Sequence, residues 1–142
     1  MKKTIAAVAL ALACVTPAAA VQCSLSVQGV AFGAYDVFSY QSLDSTGNIA
    51  VTCDVSTPYT IALSTGQGTY AGRALGCGAY RLNYNLFTDA SRVTVWGDGT
   101  GGSITVSGSA ASANHAVFGR IPARQNAHVG TYADSVIVTL TF

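Results

Sequence analysis

The chain has 142 residues, of which only 9% are charged, and it is rich in glycine. Beyond residue 20 it contains neither Glu nor Lys, so five arginines face six aspartates and the net charge is −1. This balance excludes the basic surface that nucleic acid binding requires. The abundance of Gly, Ser, Thr and Val disfavours helices and favours strands joined by turns.

The first 20 residues predict a secretory signal peptide. Two lysines precede an apolar run from Ile5 to Val15, and alanines at 18–20 offer the small residues that signal peptidase requires. The mature domain then comprises residues 21–142, and no later run approaches the roughly 20 apolar residues of a transmembrane helix. In an alternative interpretation Cys14 becomes a lipidated N-terminus, although Ala11 stands where such sites favour Leu.

The mature region opens with short apolar runs that predict strands. The first run starts at Cys23 and is interrupted by Gly29 and Gly33, which indicates a bulge or a kink. Two further alternating runs follow at residues 48–54 and 58–63. We expect each of these runs to form a separate short strand.

Polar and glycine-rich segments separate these runs from the second half of the chain. They predict turns at residues 39–47 and a long loop at residues 64–78. In the strand that follows, Leu82, Tyr84 and Leu86 share one face. The predicted strands of this half occupy residues 80–88, 93–96, 104–106 and 115–121.

Residues 131–142 have the most regular pattern and predict the strand around which the domain is organised. Apolar residues recur there with a period of two, as in a strand with one buried face. The inward-facing members are Tyr132, Val136, Val138, Leu140 and Phe142. The chain stops at this strand, so we expect its far edge to need a cover from elsewhere. In total, seven or eight short strands predict an all-β, antiparallel β-sandwich without a helix of consequence.

Three cysteines remain once Cys14 is discounted. Cys23 and Cys53 lie in strand-like runs, whereas Cys77 stands between two glycines in a predicted loop. We therefore predict a disulfide between Cys23 and Cys53. Cys77 would be a free thiol, with an intermolecular bridge or a catalytic role as alternatives.

A glycine motif and one aspartate could indicate a cofactor or a metal. Gly97, Gly99 and Gly102 match G-x-G-x-x-G, but a strand follows where a dinucleotide site needs a helix. Asp98 is the only carboxylate near this turn in the sequence, whereas calcium takes six or more oxygen ligands. We predict a hairpin turn here, with no cofactor and no metal.

The remaining candidates for chemistry also fit structural roles. His115 and His128 lack a third zinc ligand at a sensible spacing. The chain has no G-x-S-x-G elbow and its mature part has no Glu, so we predict no catalytic residues. Trp96 could contribute to a sugar-binding platform with tyrosines, but Tyr59 and Tyr84 lie on faces predicted to be buried.

Two long segments resemble the spore coat protein U domain family, whose fold is shared by subunits of archaic chaperone-usher pili. They are L-N-Y-N-L-F-T-D-A-S-R-V-T-V-W-G-D-G-T-G-G at residues 82–102 and V-F-G-R-I-P-A-R-Q-N-A-H-V-G-T-Y-A-D-S-V-I-V-T-L-T-F at residues 117–142. The runs C-S-L-S-V, F-G-A-Y-D and G-N-I-A-V-T-C-D fit the family too. The resemblance thus covers nearly the whole mature chain.

This resemblance implies an incomplete immunoglobulin-like sandwich that lacks its last strand, with Cys23 and Cys53 matching the family's disulfide. It implies partners as well: a periplasmic chaperone, an outer-membrane usher and other subunits that donate a strand. The residues expected to border the groove for the chaperone or donor strand are Val136, Val138, Leu140 and Phe142.

The N-terminus departs from the family pattern. Polymerising subunits carry an extension before the first cysteine that serves as the donor strand, whereas only Val21 and Gln22 precede Cys23 after the predicted cleavage. We therefore expect a subunit that accepts a strand but has little to donate, such as a chain terminator or a coat component. Cleavage further upstream would leave the apolar run Ile5–Val15 attached as a possible donor.

The first functional hypothesis is a structural, non-enzymatic surface protein. It would be a pilin-like or coat subunit, exported through the periplasm to the cell surface, a fimbrium or an extracellular coat, where it supports adhesion or biofilm formation. The alternative is a stand-alone adhesive or ligand-binding module whose loops, such as residues 64–78, contact a ligand. An exported hydrolase with a Ser-His-Asp site is the third hypothesis.

Overall fold

The computed structural model describes residues 19–142, so the predicted signal peptide lies almost entirely outside the described residues. The described part forms six strands: β1 (Cys23–Gln28), β2 (Leu43–Leu63), β3 (Arg73–Cys77), β4 (Tyr80–Phe87), β5 (Val106–Ile121) and β6 (Val138–Thr141). They pair antiparallel in one curled sheet, in the order β1-β2-β5-β4-β3 with β6 added to β2. The all-β prediction is confirmed, with fewer and longer strands than expected.

β2 is the central strand because it pairs with β1, β5 and β6. It joins the two strands predicted at residues 48–54 and 58–63 and extends back into the segment predicted as turns, so those boundaries were wrong. Its register with β5 shifts between Thr52 and Thr57, directly before Pro58. Proline cannot donate to a ladder and is accepted at such irregularities. The irregularity interrupts the ladder without ending the strand.

β5 has 16 residues and includes the strand predicted at residues 115–121, but it begins only at Val106. The short strands predicted at residues 93–96 and 104–106 were wrong, since Val95, Trp96 and Ile104 form only isolated bridges. Val117 and Ile121 face the core, 5% and 1% exposed, which resolves the mixed phase of this segment. Phe118 takes the other face, where the Arg92 guanidinium carbon lies 5.6 Å from its ring centroid. Long-range pairing with β2 thus extends the strand through residues without regular apolar alternation.

β3 and β4 form a hairpin at the end of the sheet. β3 lies inside the segment predicted as a loop, so that prediction was wrong for Arg73–Cys77. In β4, Leu82, Tyr84 and Leu86 are buried as predicted. Asn85 alternates with these residues and so lies on the opposite face, yet it is only 9% exposed, and its side-chain oxygen accepts a hydrogen bond from Arg73.

β1 and β6 lie along the same edge of β2. Residues 48–52 of β2 pair with β1 on one side and β5 on the other, and residues 60–61 pair with β6 and β5 in the same way. The last strand was predicted over residues 131–142, but residues 131–137 are not in a strand apart from a bridge between Ala133 and Gly76, so that boundary was wrong. The edge opposite β5 therefore carries two short strands, one at each end of β2.

The core contains the inward side chains of β2, β4 and β5 together with Trp96, which is 1% exposed and donates from Nε1 to the Ile61 carbonyl at 3.0 Å. The predicted disulfide between Cys23 and Cys53 is confirmed, and it joins directly opposite residues of β1 and β2. Cys77 is free and partly buried. Between residues 19 and 142, no helix is long and apolar enough to cross a membrane.

Candidate functional site

A groove opens between the segment that continues β1 and the segment that leads into β6. Its first part is a cavity of about 360 Å³ between residues 27–32 and residues 134–138. The floor is formed by core side chains of the sheet, namely Ile49, Leu63, Leu75, Tyr84, Leu86 and Val117. These side chains are mostly apolar and nearly all buried, so the cavity is backed by the hydrophobic core.

A second cavity of about 800 Å³ continues from the first, between residues 30–38 and residues 127–134. Val30, Phe32, Leu75 and Asp134 line both cavities. The two cavities therefore form one long groove, which we call the edge groove. An elongated groove with an apolar floor suits an extended peptide rather than a compact small molecule.

The alternation predicted for the last segment is present in the structure. Val136, Val138 and Leu140 are partly buried against the core, whereas the intervening Ile137 is 69% exposed. Val136 and Val138 line the edge groove. Leu140 lies outside its lining, and Phe142 is 55% exposed and also lies outside it. A role for these last two residues in partner binding stays a prediction.

Within residues 19–142, the backbone of β6 pairs along one edge only. The Ser64 amide donates to the Ile137 carbonyl at 3.0 Å, and the Ile137 amide donates to Ser64 Oγ at 2.8 Å, so this residue directs its backbone towards β2. Successive backbone groups of a strand point to opposite edges. Val138 and Leu140 therefore direct theirs away from β2. The backbone N–H and C=O groups of these two residues can hydrogen-bond to a further strand.

Sequence reasoning missed a polar cluster in the groove. The Tyr84 hydroxyl donates to Asp134 Oδ2 at 2.6 Å, and the backbone amide of Gln67 donates to Asp134 Oδ1 at 3.0 Å. Tyr84 is 5% exposed, and its burial raises the pKa of the phenol well above the ordinary value. Asp134 is spaced two residues from Val136 and four from Val138, so its side chain faces inward as theirs do. This spacing was the sequence signal that could have placed Asp134 in the groove.

The other residues considered for chemistry have structural contacts. His115 Nε2 lies 2.8 Å from the Tyr59 hydroxyl, and burial lowers the pKa of this imidazole. His128 stacks on Tyr80 with ring centroids 4.1 Å apart. Asp98 accepts from the Thr100 amide and hydroxyl within its turn. No group of three His, Cys, Asp or Glu in the described range could hold a metal ion.

The fold and the groove together define a class of protein: an antiparallel β-sandwich with one edge left open. The chain matches the model of the Spore Coat Protein U domain over residues 9–139, and it belongs to that family. It is 32% identical over 127 residues to "Protein U" of Myxococcus xanthus, covering 78% of this chain and 70% of that relative.

A solved structure has a similar fold. It is a chain of the crystal structure of the CsuC-CsuE chaperone-tip adhesion subunit pre-assembly complex from archaic chaperone-usher Csu pili of Acinetobacter baumannii. The two chains superpose with a TM-score of 0.63 at 24% identity, over 87% of this chain and 40% of that one. The present chain thus spans about two fifths of that structure's length, and the likeness concerns the fold.

Proposed function

We propose that this protein is a structural subunit of a surface fibre or coat, completed by a strand that a partner inserts into the edge groove. The observation that carries the proposal is the groove itself, with an apolar floor and the free backbone edge of β6 on one wall. A strand placed there adds backbone hydrogen bonds to β6 and places alternate side chains over the apolar floor of the groove. This is strand addition at a sheet edge.

The comparisons support the same assignment. The similar crystal chain comes from a chaperone-subunit complex of chaperone-usher pili, and the family takes its description from a spore coat protein. We infer that the partner is first a periplasmic chaperone and then a neighbouring subunit, delivered through an outer-membrane usher. The protein would act at the cell surface without catalysing a reaction.

The energetics favour a partner-dependent fold. Each large apolar side chain left in water costs roughly 1.5 to 3 kcal/mol relative to burial. Val27, Phe38 and Val129 line the edge groove and are 52%, 77% and 95% exposed, so the subunit without a strand bears part of this cost at several positions. The subunit without a strand is therefore expected to aggregate, to be degraded or to exchange strands.

The test is expression of residues 21–142 in a periplasm, alone and with an alternating apolar strand fused after Phe142 through a flexible linker. The tether supplies a high effective concentration, so the fused protein should be soluble and should unfold cooperatively. The control carries Asp in place of the apolar inward residues of the fused strand and should behave like the unfused protein. A soluble, cooperatively unfolding monomer without any added strand would contradict the proposal.

Incorporation into a fibre separates this function from a stand-alone adhesive module. The loop region 64–78 suggested for ligand contact holds β3, and its Gln67 is hydrogen-bonded to residues 133 and 134. Detection of the protein in isolated fibres or coats, together with a co-purifying chaperone, supports the structural role. Ligand binding by monomers that never enter an assembly would favour the adhesive module.

A further inference from the structure

The inward face of the segment leading into β6 carries one carboxylate among apolar side chains. Asp134 shares the parity of Val136 and Val138, and it lines both cavities of the edge groove. Among the described residues that line the first cavity, it is the only charged one. Any strand that fills the groove must therefore pass this carboxylate.

The carboxylate is held by three neutral donors. Oδ1 accepts from the backbone amides of Gln67 at 3.0 Å and Ser135 at 2.9 Å, and Oδ2 accepts from the Tyr84 hydroxyl at 2.6 Å. The ion pairs found between residues 19 and 142 all involve Asp44, so none includes Asp134. A carboxylate has about four acceptor positions, so one is left for a partner.

The loop beside Asp134 fixes the carboxylate from the other side. A Cβ at Gly66 would overlap both carboxylate oxygens, and the φ of this glycine is +63°, in the left-handed region. The loop thus approaches Asp134 more closely than any other residue type would allow. The carboxylate is consequently oriented in place rather than free to turn into solvent.

Strand insertion would remove water from this carboxylate. The buried Arg73 lies near enough to attract Asp134 but forms no ion pair with it. A buried charge is costly unless it is paired, and an apolar side chain at that position would add no partner. We propose that the strand completing this subunit carries one basic side chain, Lys or Arg, facing Asp134, and apolar side chains facing Val136 and Val138. This inference rests on the proposed function and adds the chemistry of the partner.

Asp134 would thereby set the register of the inserted strand. A slip of two residues keeps the same side chains facing inward, so apolar alternation alone does not oppose it. With a single cation in the strand, the same slip would place that cation against Val136 and an apolar residue against Asp134. The carboxylate therefore distinguishes registers that the apolar floor does not.

The test uses synthetic peptides of about eleven residues, long enough at ~3.3 Å per residue to follow the groove. They alternate Val and Thr, and a single Lys occupies each inward position in turn. The full mature chain is refolded with its disulfide intact in the presence of each peptide, and the dissociation constant is measured. One Lys position should bind about tenfold more tightly than the all-Val peptide, and this preference should weaken in high salt.

Two comparisons make the assignment specific. At the preferred position the order of affinity should be Lys, then Gln, then Glu, and this measurement needs no protein variant. Asp134→Asn keeps the size of the side chain and should remove the preference for Lys while leaving the all-Val affinity within about threefold.

The outcomes separate the two proposals. If the all-Val peptide binds but Lys weakens binding at every position, or if Asp134→Asn leaves the preference unchanged, the charge-based register is overturned and the strand-accepting function stands. If none of the alternating apolar peptides binds, the proposed function fails and the inference fails with it.

Discussion

Arg73 is a buried cation whose bonds connect three parts of the fold. It is 0% exposed, and its guanidinium donates to the carbonyls of Ser64 and Trp96 and to Asn85 Oδ1. The Tyr70 ring centroid lies 5.4 Å from the guanidinium carbon. Burial lowers the pKa of this group from its ordinary value, since the charged form is desolvated.

Arg73→Met should destabilise the protein that carries a fused complementing strand by about 3 kcal/mol. Methionine keeps an unbranched apolar stem but leaves buried carbonyls without donors, and each such loss costs about 1–3 kcal/mol. Denaturant unfolding of the protein with the fused strand measures the change. Arg81→Met is the control, because Arg81 is exposed, and it should stay within about 0.5 kcal/mol. Equal losses in both variants would contradict the role of the buried network.

His115 should make stability depend on pH. Burial lowers the pKa of this imidazole in the folded state below its ordinary value of 6.5, so the unfolded chain takes up a proton first. The stabilisation is complete above pH 6.5 and is lost as the pH falls towards the folded pKa. Unfolding midpoints measured from pH 8 to pH 5 should decline below about pH 6.5, and His115→Gln should flatten that decline. An unchanged slope in the variant would show that another group is responsible.

At the scale of elements, β6 joins the core through one face, and in the described part of the chain only β2 pairs with its backbone. Of its inward side chains, Val138 lines the edge groove and Leu140 packs against the core, whereas Thr139 and Thr141 face solvent. The strand pairs with only four residues of β2, from Thr60 to Leu63. A short strand with such limited pairing depends on its inward contacts and on whatever covers its other edge.

Val138→Asp should weaken capture of a complementing strand by at least about tenfold. The change places a charge in the apolar part of the groove and removes side-chain burial of roughly 1.5 to 3 kcal/mol. Peptide affinity and chaperone co-purification are the measurements. Ile137→Asp is the matched control, because its side chain is 69% exposed on the opposite face of the same segment. Similar losses in the two variants would contradict the assignment of faces.

At the scale of the whole molecule, the disulfide between Cys23 and Cys53 ties β1 to the central strand. The two cysteines are separated by 30 residues, and the loop includes the segment that forms one wall of the edge groove. A cross-link of this kind acts on the entire unfolded chain by reducing its conformational freedom. It therefore stabilises the groove indirectly, even though neither cysteine lines it.

Replacing Cys23 and Cys53 together by Ser should lower the free energy of unfolding by roughly 3 to 4 kcal/mol in the chain-entropy model. The measurement is denaturant unfolding of the protein completed by a fused strand. Cys77→Ser is the control, since this thiol is not bridged in the structure, and it should cost much less. A comparable loss from Cys77→Ser would indicate that Cys77 takes part in bridging.

Local pattern was sufficient to predict several features of the molecule. The parity of residues 131–142 follows from apolar alternation, because a strand places successive side chains on opposite faces. The pairing of Cys23 with Cys53 followed from the strand-like runs around them, as opposed to the glycines beside Cys77. The family resemblance indicated the incomplete sandwich as well.

Local pattern failed where pairing partners were distant in the chain. Pro58 and the polar residues before it have the composition of a strand end, yet pairing with β5 continues on both sides of them. Likewise, nothing near Arg73 indicates a strand with a fully buried cation. The bonds of this residue to positions 64, 85 and 96 form only when the chain is folded.

By itself, the sequence determined the all-β class, the inward face of the last segment and the disulfide, because each depends on spacing between nearby residues or on the types of residue available. Only the tertiary structure decided that β1 and β6 share one edge of β2, and that the edge groove between their neighbouring segments contains Asp134. These features depend on contacts between residues far apart in the chain. A periodic pattern indicates which side chains are buried, but not which distant segment covers them or leaves them open.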